Sequence, residues 1–382
     1  MREGRGGSRI ISSAIGEIIK EEASKIGRKV RFMNFCGTHE WTTVHYGLRT
    51  LMPENVELVA GPGCPVCITP SYYIEKAIEL SMKGIRVYSF GDAYKLPALK
   101  SINGARSLSD ARSAGGNVSI VYSFLDAVRD AEKYKKESVF LGIGFETTAP
   151  SYAILFYNNK VPENLFFMSV LRLTPPAARY ALDYAAGKGE GVDGVIAPGH
   201  VSSVIGSDPW LFIAKDFGIP AVVSGFEPTD VLISVAMLLK MLNRGEADVK
   251  IEYKRVVKPY GNVKAKELIN RVFEEEDASW RGLGFIEGSG LDLSDDFSDN
   301  NAFLHLVEKQ KEWSYDMPPG CRCAEVVLGA AKPTDCPMFM RACTPSNPFG
   351  PCMVSMEGTC AVWARFGGGG LADEIAREIG EI

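Results

Sequence analysis

Six of the chain's nine cysteines fall within forty residues, between Cys321 and Cys360. Prolines stand close to several of them (Pro337, Pro345, Pro351), so the backbone there is turn-rich and partly rigid. Such a segment holds several thiolates in converging positions without regular secondary structure. Three chemistries use that. Disulfides need an oxidising compartment, and the N-terminus carries no signal-like sequence. Structural zinc usually draws its ligands from paired Cys-x-x-Cys knuckles, and this stretch offers only Cys321-x-Cys323. An iron–sulfur cluster accepts four thiolates at looser spacing, as in Cys323, Cys336, Cys343 and Cys360. The spacing favours the cluster and leaves the other two readings open. Cys321 and Cys352 are then a spare pair, either a disulfide beside the cluster or two buried thiols.

A second thiol pair, Cys64-Pro65-Val66-Cys67, precedes a predicted helix, with Thr69 as its N-cap and Pro70 at the first helical position. Unpaired amides at a helix start favour a thiolate, so this pair suits dithiol–disulfide cycling or metal binding. Cys36 lies in a glycine-bearing turn, three residues before His39 and four before Glu40. If that turn opens a helix, Cys36 and His39 share a face. A soft thiolate beside an imidazole suits iron, or nucleophilic chemistry. His200 in A-P-G-H-V-S and Glu146 in G-F-E-T-T occupy comparable turns and are further candidates. His45 and His305 lie on apolar backgrounds and receive no role.

The elements that must carry these residues repeat one plan. Short apolar runs (K-V-R-F-M-N-F, V-E-L-V-A, I-R-V-Y-S-F, V-F-L-G-I-G, V-I-A-P, A-V-V-S) each end in glycine plus a Cys, His, Asp or Glu, and helical patterns intervene. That is the signature of parallel α/β units, whose ligands bind outside the strand carboxyl ends. The echo between Gly144-Phe145-Glu146 and Gly225-Phe226-Glu227 suggests two similar lobes facing a cleft. Residues 10–26 read as an amphipathic helix, and the Met/Leu stripe at 234–242 as core. Beyond Arg244 an acidic run (274–277), a Gly/Ser/Asp-rich stretch read as loop (282–300), the cysteines, a glycine run and a short acidic helix follow. The expected fold is α/β: two similar parallel-sheet lobes around a cleft, plus a third, mostly helical and loop domain for the cluster. The expected segments are a helix in 1–28 packed on the C-terminal domain, a first lobe (29–125) with Cys36, Cys64 and Cys67, a second lobe (126–245), and the cluster domain (246–382).

Composition bounds the function. A chain of 382 residues supports two or three cored domains, and 46% hydrophobic with 23% charged residues is ordinary for a globular protein. The formal charge of −5 gives no basic footprint for nucleic acid. No apolar run approaches the ~18 residues of a membrane span. A cytoplasmic location is expected, where nine cysteines favour metal or redox work over structural bridges.

Taken together, F-C-G-T-H-E (35–40), G-P-G-C-P-V-C (61–67), G-F-E-T-T (144–148), P-G-H-V-S (198–202) and the C-terminal cysteines resemble the hydrogenase maturation factor HypD family. Twelve, six and sixteen residues separate Cys323, Cys336, Cys343 and Cys360. The resemblance implies a 4Fe–4S cluster on those four cysteines and no hydrogenase activity of the chain's own. It implies a scaffold on which iron acquires cyanide and carbon monoxide for nickel–iron hydrogenase. Iron would be held jointly by Cys36 and a HypC-type chaperone, supported by His39, with cyanide from a HypE-type donor. Cys64 and Cys67 would be a redox pair fed with electrons through the cluster. A monomer that meets these partners transiently is expected. The alternative is a stand-alone iron–sulfur thiol–disulfide oxidoreductase, which has no need of Cys36-x-x-His39.

Overall fold

The computed structural model describes residues 3–367, with side chains from residue 14 onward, so the expected acidic helix at the C-terminus lies outside the described residues. Eleven strands occur among them: β1 (Val30–Asn34), β2 (Val56–Ala60), β3 (Arg86–Ser89), β4 (Val118–Ile120), β5 (Ser138–Gly144), β6 (Leu165–Arg172), β7 (Gly194–Pro198), β8 (Ala221–Ser224), β9 (Val249–Ile251), β10 (Phe273–Trp280) and β11 (Gly284–Leu293). They form two sheets, in the orders β2-β1-β7-β8-β9 and β10-β11-β6-β5-β3-β4. The first is parallel throughout. In the second, β3 to β6 are parallel, and the β10–β11 hairpin adds antiparallel at the β6 edge. The fold is therefore α/β with two lobes, as the strand–turn–helix pattern predicts.

Burial explains the strands. Every residue of β5 and β7 is buried, the continuous apolar run of a parallel strand covered on both faces. Gly142 in β5 faces the ring of Phe167 in the adjoining β6, where an added Cβ would lie 2.4 Å from the ring tip. Around Phe167 cluster Phe124, Phe140, Tyr152 and Phe156.

Four expectations need correction. The lobes do not divide at residue 125. β1 and β2 join β7, β8 and β9 in one sheet, while β3 to β6 join β10 and β11 in the other. Hydrophobic periodicity identifies strands but carries no information on which sheet each enters. Residues beyond 245 are likewise not a separate domain, since β9, β10 and β11 complete the two sheets. The acidic run lies in β10 and much of the Gly/Ser/Asp-rich stretch in β11, where ladder bonds override weak strand propensity. Glu276 and Asp292 there share Lys309. Finally, among the described residues the helix Glu3–Ser24 packs chiefly on the helix Pro228–Asn243 rather than on the cysteine segment. Its Ile15, Ile19 and Ala23 share a core with Phe32, Val235 and Leu239. The two apolar helix faces cover each other.

Ile19 is fully buried in that contact. Ile19→Ala should therefore lower stability by roughly 2–5 kcal/mol in urea unfolding. It should leave the metal content of the folded protein unchanged, and a variant that lost metal would tie this helix to the cysteine segment after all.

Candidate metal centre

In a parallel sheet, the loops that leave the strand carboxyl ends share one side. The order β2-β1-β7-β8 makes neighbours of the loops bearing Cys64, Cys36, His200 and Phe226. Cys36 and His200, assigned by sequence to different lobes, thus belong to one sheet. The facing wall comes from the other sheet, where Phe145 and Thr147 follow β5. Between them lies a cleft of about 270 Å³. Cys36, Thr38, Gly63, His200 and Glu357 line it.

Cys36 is the N-cap of the helix Gly37–His45 and sits in extended backbone (φ −146°, ψ 127°). It is partly open to the cleft. Burial pushes its thiol up to about 11, helped by the nearby Glu357 carboxylate and opposed by the amides of His39 and Thr38. Gly63 lies directly against it, since an added Cβ would be 2.4 Å from the Cys36 nitrogen. The Gly37 amide closes the contact by donating to the Gly63 carbonyl (3.0 Å).

His39 does not share the cleft with Cys36. It is fully buried, and Nε2 lies 2.9 Å from the Gly225 carbonyl. A carbonyl only accepts, so Nε2 carries the proton. Nδ1 is left as an acceptor without a partner among the described residues. Burial lowers the His39 pKa to about 4, so the ring is neutral at neutral pH. Phe226 stacks on it (centroids 4.7 Å apart) and also on His200 (3.7 Å). His200 is exposed at the cleft, and burial of part of its ring lowers its pKa. Glu146 lies outside the cleft lining. Its carboxylate accepts from the Thr174 amide (2.7 Å) and hydroxyl (3.0 Å), and burial pushes its pKa up to about 7.

Cys64 and Cys67 are joined as a disulfide, and both are buried. The helix that follows begins at Ser71, with Pro70 at its N-cap position, and the Thr69 hydroxyl turns back to the Pro65 carbonyl (2.9 Å). The pair is thus further from the helix start than its sequence suggests, and the dipole there has less influence.

In the C-terminal segment the Sγ atoms of Cys323, Cys352 and Cys360 lie within 4.8 Å of one another. Cys321 Sγ is 3.2 Å from Cys323 Sγ, and this thiol contact lowers the Cys321 pKa while raising that of Cys323. Gly350 makes the gathering possible. A Cβ there would lie 2.6 Å from Cys321 Sγ and 2.8 Å from Cys323 Sγ, and its amide is 3.5 Å from Cys343 Sγ. Cys336 and Cys343 are buried but stand outside the three-thiol group. Cys352, set aside as a spare, is inside it, and neither it nor Cys321 is in a disulfide.

A small internal cavity of about 10 Å³ is lined by Cys36, Cys64 and Cys352 together with Glu40 and Glu357. It has room for about one water. Two free cysteines and one half of the disulfide therefore border one space. Glu40 anchors this region: its buried carboxylate accepts from Asn34 Nδ2 (3.2 Å), Arg49 (2.8 Å) and Trp363 Nε1 (2.7 Å). Sequence reasoning missed this role, and also Phe226, Glu357, Gly350 and Cys352. The G-F-E echo pointed at Phe226 and the cysteine clustering at Cys352, while nothing local signals the others.

Among known proteins, the HypD family profile, described as the hydrogenase formation hypA family, matches residues 10–367. The chain is 39% identical over 359 residues to the hydrogenase maturation factor HypD of Escherichia coli, covering 92% of this chain and 94% of that protein. It is 36% identical over 368 residues to that of Cupriavidus necator (94% of each) and 38% over 348 residues to that of Azotobacter vinelandii (89% and 90%). No helix among the described residues is long and apolar enough to cross a membrane.

The His39 environment predicts an acid-sensitive fold. Between its ordinary 6.5 and about 4, the unfolded chain takes up a proton that the folded ring refuses. Stability present above pH 6.5 therefore falls as pH drops toward 4, by up to about 3 kcal/mol. Glu146 works oppositely: its contribution is full below pH 4.5 and is lost as pH rises through about 7. A His39→Asn variant should show a flatter acid limb in urea unfolding between pH 4 and 6.5. An unchanged slope would mean that the ring titrates normally.

Proposed function

The chain belongs to the HypD family of hydrogenase maturation factors, and from that premise we propose that it is the scaffold on which iron receives cyanide and carbon monoxide for nickel–iron hydrogenase. The observation that carries this reading is that Cys36, Cys64 of the disulfide and Cys352 of the three-thiol group line one small space. Iron is the cargo, and Cys36 is its anchor. A thiolate is a soft donor suited to iron carrying strong-field ligands. The raised thiol pKa means that Cys36 stays protonated until a metal displaces the proton. Its open side leaves room for a second sulfur from a HypC-type chaperone and for a HypE-type cyanide donor. His39 positions the turn after β8 and, through Phe226, the ring of His200 at the cleft.

The donor set fits a resident 4Fe–4S cluster. Buried thiols converge, Gly350 clears the space a Cβ would fill, and the buried Arg281 guanidinium has two nitrogens without partners among the described residues. Cys323 and Cys360 belong both to the set Cys323, Cys336, Cys343, Cys360 and to the three-thiol group, with Cys352 as the competing ligand. Such a cluster supplies single electrons when bound. The Cys64–Cys67 disulfide opens to two thiols when it takes up two electrons and two protons. The stand-alone oxidoreductase reading is weaker, because attack on a protein disulfide needs an accessible thiol and both of these are buried.

Protein purified without oxygen should contain about four irons and four acid-labile sulfides per chain. With its chaperone it should also show infrared bands of iron-bound cyanide and carbonyl. Cys36→Ala should retain the sulfide and lose the bands. Bands that survive in Cys36→Ala would remove it as the anchor, and zinc without sulfide would end the cluster reading. Serine substitutions at Cys336 and Cys352, read by sulfide content, separate the two ligand sets.

A further inference from the structure

Arg281 sits in the turn between β10 and β11 with its side chain among the most deeply buried of the protein, 2% exposed. Its backbone amide donates to the carbonyl of Ile68, the residue after Cys67 (2.8 Å). Its Nε donates to the Asp316 carbonyl (3.3 Å), while both terminal nitrogens have no partner among the described residues. The Asp316 carboxylate is already engaged, by the Ser71 amide (3.0 Å) and the Gly282 amide (2.8 Å). The neighbouring Gly282 presses the turn against the helix Cys323–Val327, where an added Cβ would lie 2.8 Å from that of Ala324. Cys321 and Cys323 lie within electrostatic reach of the guanidinium, as do Asp316 and Glu75.

A guanidinium cannot shed its charge at physiological pH, and burying it with unfilled donors is unfavourable unless an anion completes the site. We infer that Arg281 is the fixed countercharge of the group held by the C-terminal thiols, and that it sets that group's reduction potential without being a ligand. The inference rests on the cluster reading above. A cluster with four thiolates is anionic in both redox states and gains one more negative charge on reduction. A nearby cation favours the more negative state and so raises the potential. Arg281 is thus a positioning residue between the Cys64–Cys67 loop and the thiol group, in contact with the backbone of the first and within electrostatic reach of the second.

The test compares the full-length wild-type protein, Arg281→Gln and Arg281→Lys, all purified anaerobically. Iron and sulfide are measured first, then a spectroelectrochemical titration is run. Arg281→Gln should keep its iron and titrate at lower potential, the reduced-to-oxidised ratio at the wild-type midpoint falling about tenfold, or 59 mV for one electron. Arg281→Lys, which keeps the charge, should stay close to wild type. If Arg281→Gln loses iron but Arg281→Lys retains it, the charge is still the requirement and the inference stands. An unchanged potential in a fully loaded Arg281→Gln overturns the inference and leaves the cluster reading intact. Equal loss of iron or equal shifts in both variants also overturn it, because shape and not charge then governs. Wild-type protein without sulfide overturns the cluster reading and this inference together.

Discussion

A buried carboxylate with three donors holds the centre together. Glu40, 1% exposed, takes hydrogen bonds from Asn34 at the end of β1, from Arg49 and from Trp363. Asn34 is two residues before Cys36, and Trp363 is three residues after Cys360 on the helix Thr359–Phe366. One charged group therefore fixes the distance between the cleft thiol and the C-terminal thiols. A buried carboxylate is tolerated only when its oxygens are filled, and breaking one partner leaves the charge uncompensated. Arg49 also lies over the Trp363 ring, 5.2 Å from its centroid, so the clamp has an apolar as well as an ionic side.

A second constraint is close approach. Gly63 against Cys36, Gly37 against Glu357, Gly350 against Cys321 and Cys323, and Gly358 beside Cys352 and Cys67 each occupy a contact that a Cβ would close. Glycine is used here less for turn geometry than for clearance. At Gly350 and Gly358 the sulfurs lie where a Cβ would otherwise stand. Such a centre is dense, and the dense surroundings that push Cys36 up to about 11 also keep His39 neutral.

The two lobes divide the labour. The parallel sheet β2-β1-β7-β8-β9 supplies Cys36, Cys64, His200 and Phe226 from four adjacent strand ends. The mixed sheet supplies the opposite wall through Phe145 and Thr147. The two G-F-E turns, which look alike in sequence, do different jobs. Phe226 stacks on two histidines, and Glu227 caps the helix Pro228–Asn243. Phe145 stacks on Trp280, and Glu146 holds Thr174.

Local pattern was enough for the α/β class, for six of the strands, and for the turns that carry Cys36, Cys64, Cys67 and His200, because strand burial and turn chemistry are written within a few residues. The motifs were likewise enough for the family. The sheet to which each strand belongs was not legible, since β1 meets β7 across some 160 intervening residues, and no local period encodes such a pairing. For the same reason Cys352 read as a spare thiol, Glu40 as a neighbour of His39, and the chain beyond residue 245 as a domain of its own. Which sulfurs meet depends on side-chain packing between segments far apart in the chain, and only the tertiary structure decides that.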